Sequence, residues 1–204
     1  MSSVLDTVLV VEVFVTLFVI MDPVGTIPIF LSLTSGRAEG YARRAALTAV
    51  VVSFFVIVAF ALFGQSILSY LHISLPALQC AGGLLLLLIA LELLTGNDKE
   101  PTSTTGNVAI VPLATPLLAG PGAIVAVMLF VERVDDAATF SAVAIGIVAV
   151  HLMLWAAMRF SLPILRLIRE SGVLLVTRIA GLLLSAIAVQ LIADAVRAFI
   201  AGEG

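Results

Sequence analysis

The sequence predicts an all-α membrane protein whose six transmembrane helices form two inverted three-helix repeats, with helices 1 and 4 broken at Pro/Gly motifs. Three observations carry that expectation. Of 204 residues, 62% are hydrophobic and 11% charged, and the mean hydropathy is +1.25. Soluble domains run near about 45–50% apolar and 25% charged. Six apolar segments, near 8–33, 44–64, 75–95, 107–131, 139–160 and 173–199, are each long enough to cross about 30 Å of hydrocarbon, which takes roughly 20 helical residues. Shifted by 98 residues, the chain also matches itself without a gap: Pro23 falls on Pro121 and Gly83 on Gly181. Long apolar runs with little alternation favour helices over a barrel.

The first span opens with MSSVLDTVLVVEVF, which has no Lys or Arg and carries Asp6 and Glu12. A signal peptide's basic start and small-residue cleavage site are missing, so this segment is expected to stay as a span. Near its end, 20-IMDPVGTIPIF-30 carries Asp22, Pro23, Gly25 and Pro28. Proline removes an amide donor and clashes with the carbonyl four residues back, while glycine lets the chain leave helical geometry. In hydrocarbon the freed groups must find partners, so irregular backbone belongs where protein buries it or where it lines a polar cavity. Asp22 followed by Pro23 is a helix-start pattern, an N-cap and then its first helical position. A carboxylate inside a span is also a functional candidate, for substrate or for a coupling cation.

The connection after the first span holds Arg37, Arg43 and Arg44. Span three contains 81-AGGLLLLLIALELL-94, where Gly82 and Gly83 suit close helix packing. The single cysteine, Cys80, allows no intrachain disulfide and reads as packing, and no zinc spacing exists. The turn-rich 96-GNDKEPTSTTGN-107 divides one transmembrane domain, 1–204, into repeat 1 (about 1–95), a linker (96–106) and repeat 2 (about 107–204).

Span four breaks where span one does. Its 112-PLATPLLAGPG-122 is bordered by small residues, Ala114, Ala119, Gly120, Gly122, Ala123 and Ala126. The restarts, around Val24–Thr26 and Gly122–Ile124, are expected to direct unpaired amides and a partial positive charge at an anion. The breaks expose carbonyls that can hold a cation or an ammonium group. A zwitterionic amino acid wants both sites. Thr26 and Thr115 could offer hydroxyls to it or return them to their own helices.

Further matches at the same shift are Leu84–Leu86 on Leu182–Leu184, Ile89 and Ala90 on Ile187 and Ala188, and Glu92 on Gln190. Three spans per copy is odd, so the second copy must enter the membrane upside down, as in many secondary transporters. The counterpart of the first copy's basic loop, 132-ERVDDA-137, has an excess of acid. Arg37, Arg43, Arg44, Lys99, Arg159, Arg166 and Arg169 fall in the connections after spans one, three and five, against Arg133 and Arg197 opposite. Arg178 lies just inside span six. Those three loops are therefore expected in the cytoplasm and both termini outside.

Of the other intramembrane polar groups, Glu12 could pair or take a proton, and His151 could titrate near neutral pH or serve as a bonded structural residue. With Asp22, they are the candidates for proton or cation coupling. A net charge of −3 gives no argument for nucleic acid. There is no Ser nucleophile elbow, HExxH or Walker loop, so no enzyme activity, catalytic residue, metal or cofactor is expected. Transport would run on a gradient of H+ or Na+. Neither break has a nearby Trp or Tyr, which leaves an aromatic cage for a quaternary amine unsupported.

At 21-MDPVGTIPIFLSLT-34 and 112-PLATPLLAGPGAIVAVM-128 the chain resembles the MarC family of bacterial and archaeal membrane proteins. The likeness extends over essentially the full length, and the paired D-P-x-G and A-G-P-G-A patterns are far more specific together than either alone. The resemblance implies a multi-pass inner-membrane protein with six helices and inverted repeats. The family was named through an association with multiple antibiotic resistance, a role since doubted, and some relatives are described as transporters of small neutral amino acids such as glycine and alanine. By motif, the ligand-contacting residues it implies are Asp22, Pro23, Val24, Gly25 and Thr26, with Thr115, Ala119, Gly120, Pro121, Gly122 and Ala123.

The reading is a cytoplasmic-membrane secondary transporter of a small zwitterion (alanine, glycine or serine) bound between the broken spans. An ion channel using the same hairpins and a non-transporting membrane scaffold or stress-response protein are the alternatives. Partners are a small-molecule solute and the lipid bilayer. The short loops leave little room for a soluble partner domain, so a homo-oligomer, if one forms, would assemble through lipid-embedded faces.

Overall fold

Four helices in this protein are long and apolar enough to cross a bilayer: 41–71, 75–95, 137–159 and 171–201. They belong to a computed structural model that describes residues 6–34, 37, 40–95 and 118–202, with Ser32 and Glu170 described in backbone only. In chain order the elements are α1 (Thr7–Met21), α2 (Thr26–Thr34), α3 (Tyr41–Leu71), α4 (Leu75–Thr95), α5 (Pro121–Glu132), α6 (Ala137–Arg159) and α7 (Ser161–Ala201). No strand occurs among the described residues. The expected linker 96–106, and residues 107–117 of the expected fourth span, lie outside the described residues.

Local chemistry sets the helix ends. Asp6 caps α1 by accepting from the Leu9 amide at 3.0 Å. Asp136 and Thr139 form a capping box at the start of α6. The Thr139 amide, the main cause, holds the Asp136 carboxyl below its ordinary value. α3 stops at His72, in the left-handed region at φ 55°. α7 is interrupted at Arg169, whose φ of 62° and ψ of 165° lie where essentially only glycine is at ease. The span Ser171–Ala201 follows that kink.

The first expected span is thus two helices, α1 and α2, with a turn between them. α5, with 12 residues, is a short apolar helix that begins at a break.

Two buried clusters organise the packing. The larger joins α1, α3, α5 and α6 through residues such as Val13, Leu17, Met21, Ile57, Ala126 and Leu154. The smaller sets Val19 of α1 against Leu86 and Ala90 of α4 and Leu184 and Ala188 of α7. Large side chains cover the outside as well: Phe55 is 65% exposed and Leu182 61%. Helices apolar on the outside as well as the inside are built for lipid.

The α4–α7 pair is held by close backbone approach. A Cβ on Gly83 would lie 2.9 Å from the Ala188 carbonyl oxygen and 2.7 Å from Ile192 Cγ1. A Cβ on Gly181 would lie 3.2 Å from the Ala90 carbonyl oxygen and 3.2 Å from Leu94 Cγ. Gly181, Ala188 and Ile192 are the residues 98 positions after Gly83, Ala90 and Leu94, so the contacts are reciprocal. Early α4 meets late α7 and late α4 meets earlier α7, which makes the helices antiparallel. Ser53 of α3 and His151 of α6, also 98 residues apart, touch each other at 3.4 Å.

The unequal clearances give a stability prediction. Gly83→Ala must push on backbone, and overpacking of this kind costs about 1–3 kcal/mol. Gly181→Ala meets looser contacts, and a helix-propensity gain of up to about 1 kcal/mol offsets them. Thermal unfolding in detergent should show a clear loss for Gly83→Ala and little change for Gly181→Ala.

Candidate functional site

The first break follows from Pro23, which has no N–H to return to the Val19 carbonyl. Asp22 turns into the left-handed region, φ 40° and ψ 72°, and still donates its amide to the Phe18 carbonyl at 3.1 Å. Aspartate tolerates that region better than most side chains. Its Oδ1 then accepts from the Gly25 amide at 3.0 Å, so Asp22 closes α1 and caps the restart together.

The neighbouring amides are also taken. Thr26 donates its amide to the Asp22 carbonyl at 3.0 Å, and Ile27 donates to the Val24 carbonyl at 3.1 Å. The Thr26 hydroxyl donates to the Asp22 carbonyl at 2.9 Å. This corrects the expected set of unpaired amides around Val24–Thr26: at Gly25 and Thr26 both have partners, because Asp22 supplies two acceptors within reach. Thr26 spends its hydroxyl inside its own turn. What the first break presents is a carboxylate.

Gly25 is required by close approach. A Cβ there would overlap the Asp22 carboxylate and lie 3.2 Å from Thr177 Oγ1 of α7. Only glycine lets the carboxylate fold over the turn while α7 packs against it.

The second break is the opposite kind. Gly120 is extended, at φ −65° and ψ 163°, Pro121 follows it, and no side chain caps α5. Ile124 donates its amide to the Gly120 carbonyl at 3.1 Å. Gly122 and Ala123 then stand in the first turn, where amides have no intrahelical acceptor and carry the helix's partial positive charge. A Cβ on Gly122 would overlap Leu86 of α4. Met21, Leu118, Ala119 and Ala123 all belong to the larger buried cluster, so both breaks border it.

The structure therefore places Asp22, Pro23, Val24, Gly25 and Thr26 at one break, and Ala119, Gly120, Pro121, Gly122 and Ala123 at the other. Thr115 lies outside the described residues. Glu12 and His151 sit elsewhere. Glu12 is about 15 Å along α1 from Asp22 at 1.5 Å per residue. It accepts from both terminal nitrogens of Arg133, at 2.6 and 3.1 Å. That hydrogen bond raises the Arg133 guanidinium above its ordinary value.

His151 is buried where α3 crosses α6. Its Nδ1 lies 2.8 Å from the Ile147 carbonyl, which can only accept, so Nδ1 carries the proton. In the neutral ring Nε2 then accepts from the Ser53 hydroxyl at 3.4 Å. Phe54 meets the imidazole edge-on, with ring centres 5.3 Å apart. These partners come from α3 and α6, and neither break supplies one. Ser53 and Thr177 are single hydroxyls in apolar runs and belong to no motif. Ser53 could have been found by its place 98 residues before His151, whereas nothing in the sequence marks Thr177.

A profile of the MarC family integral membrane proteins matches residues 7–200. A UPF0056 membrane protein of Methanocaldococcus jannaschii is 35% identical over 192 residues, covering 90% of this chain and 94% of the relative. Another of Bacillus subtilis is 32% identical over 193 residues, covering 90% and 92%. One of Escherichia coli is 32% identical over 199 residues, covering 93% and 92%. No solved structure matches.

Ser53→Ala should leave the buried His151 Nε2 without its hydroxyl, a loss of about 1–3 kcal/mol by the usual cost of an orphaned buried acceptor. Adding His151→Leu to Ser53→Ala should recover part of it. Melting temperatures of the two single variants and the double variant test this, and additive losses would refute the pairing.

Proposed function

The chain belongs to the MarC family of integral membrane proteins, and from that premise we propose that it is a secondary transporter of a small zwitterion, with small neutral amino acids (alanine, glycine, serine) as its cargo class. One observation carries the reading. Of two helix breaks that border one buried cluster, one bears a carboxyl side chain, Asp22, and the other a helix start without a side-chain cap at Gly122 and Ala123.

The chemistry is complementary to an amino acid. The ammonium group binds beside the Asp22 carboxylate, in a charge-assisted contact stronger than a neutral one. The carboxylate binds the first-turn amides of α5, where aligned dipoles favour an anion. Gly122, packed under Leu86, and the buried Ala119 and Ala123 keep the side chains at this break small.

The transport geometry is an inverted pair of three-span repeats, six spans in all. The reciprocal α4–α7 contacts support it: two equivalent helices that lie antiparallel are related by a rotation that reverses direction across the membrane. The Ser53–His151 contact supports it too, because equivalent residues touch only near such an axis. In this reading the loops after spans one, three and five are cytoplasmic and the termini outside, and one repeat rocks against the other. Coupling to H+ or Na+ acts through Asp22, since Glu12 and His151 are committed elsewhere.

Counterflow of labelled alanine into proteoliposomes tests the reading. Uptake should saturate and should accelerate with unlabelled alanine on the far side, whereas a pore would pass current without counterflow. Asp22→Asn should separate charge from capping, because asparagine caps about as well as aspartate. Exchange should fall at least about a hundredfold, the scale of a lost buried ionic contact, with the melting temperature nearly unchanged. Wild-type exchange by Asp22→Asn would remove the ammonium assignment.

A further inference from the structure

The transport reading draws on two helix breaks, and a third element also reaches the site. We infer that Thr177 of α7 is a cargo-binding residue, whose hydroxyl oxygen accepts from the ammonium group of a small amino acid held beside Asp22. This inference rests on the proposed transport function and adds a contact from outside both sequence motifs.

A hydroxyl without a partner among the described residues comes first. Thr177 is 8% exposed, near the start of the apolar span Ser171–Ala201. Hydroxyls in such helices usually return to a carbonyl one turn back. Thr26, Thr34, Ser69 and Thr95 all do so here. Thr177 makes no such bond, and none to any other group among the described residues. The oxygen itself is not fully enclosed, so a donor from outside the protein can reach it.

Direction comes second. The point where a Cβ on residue 25 would stand is 3.2 Å from Thr177 Oγ1 and 2.8 Å from Asp22 Cγ. Hydroxyl and carboxylate therefore lie within about 6 Å of each other, brought from different helices over one glycine. An ammonium group has three N–H donors set apart by tetrahedral angles, and a lone carboxylate leaves at least one unanswered. A neutral acceptor beside the carboxylate answers it without adding charge.

Among the described residues, the second break lacks this arrangement. There the small residue, Gly122, is covered by Leu86 of α4 rather than by a hydroxyl.

The test compares Thr177→Val, which keeps the branched shape without the hydroxyl, with Thr177→Ser, which keeps the hydroxyl. The readouts are half-saturation and maximal rate of alanine counterflow, with stabilisation by alanine in thermal unfolding as a second measure. Thr177→Val should raise half-saturation about tenfold while the maximal rate and the melting temperature without ligand stay near wild type, and Thr177→Ser should stay within about threefold. Should Thr177→Val fail to fold, Thr177→Ala takes its place. Unchanged half-saturation in the hydroxyl-free variant, or equal impairment of both variants, overturns the inference while transport stands. Failure of the wild type to exchange, or be stabilised by, alanine, glycine or serine removes the transport reading itself, and Thr177 with it.

Discussion

A peptide group in hydrocarbon has no water to turn to, and the rest of this structure answers to that constraint. Continuous helices meet it by their own ladder. Where Pro23 and Pro121 interrupt the ladder, the chain must find acceptors and donors by other means, and it does so differently at the two sites. At the first break Asp22 takes a left-handed turn and uses both its carbonyl and its carboxylate as acceptors. At the second, no side chain caps the helix start. The first break carries a carboxyl side chain that caps the turn and the second a helix start with no side-chain cap, so two breaks that read alike in sequence are resolved differently.

Close packing surrounds both breaks. Gly25 admits the carboxylate and α7 to the same point, Gly122 admits Leu86, and Gly82 admits Val125. Without a hydrophobic force between helices in lipid, such contacts are how membrane helices choose partners. Gly83 and Gly181 do the same for α4 and α7, which join into a paired element beside the larger cluster of α1, α3, α5 and α6. The breaks thus sit where small residues let backbones approach.

Polar groups away from the breaks fall into separate roles. The Glu12–Arg133 pair ties α1 to the turn after α5 while half exposed, a setting in which such pairs contribute about 0–1 kcal/mol. The Ser53–His151 pair is fully enclosed and is met edge-on by Phe54. It ties α3 to α6 at one point with one satisfied bond, which specifies how the two helices cross more than it adds to their stability.

Composition alone determined that this chain lives in a bilayer, since an 11% charged, 62% hydrophobic chain has no soluble way to cover its surface. Proline and glycine chemistry determined where helix 1 must break and that α5 must begin at Pro121, because a missing N–H acts locally, whatever surrounds it. Tertiary structure alone decided which amides remained available: whether Gly25 and Thr26 donate to cargo or to Asp22 depends on a backbone turn that no spacing encodes. It alone brought Thr177 to the first break, 155 residues from Asp22 along the chain, and carried Glu12 to Arg133 instead. Those pairings come from helix crossings, which fix distances between residues far apart in sequence, and a single chain read in order holds no record of them.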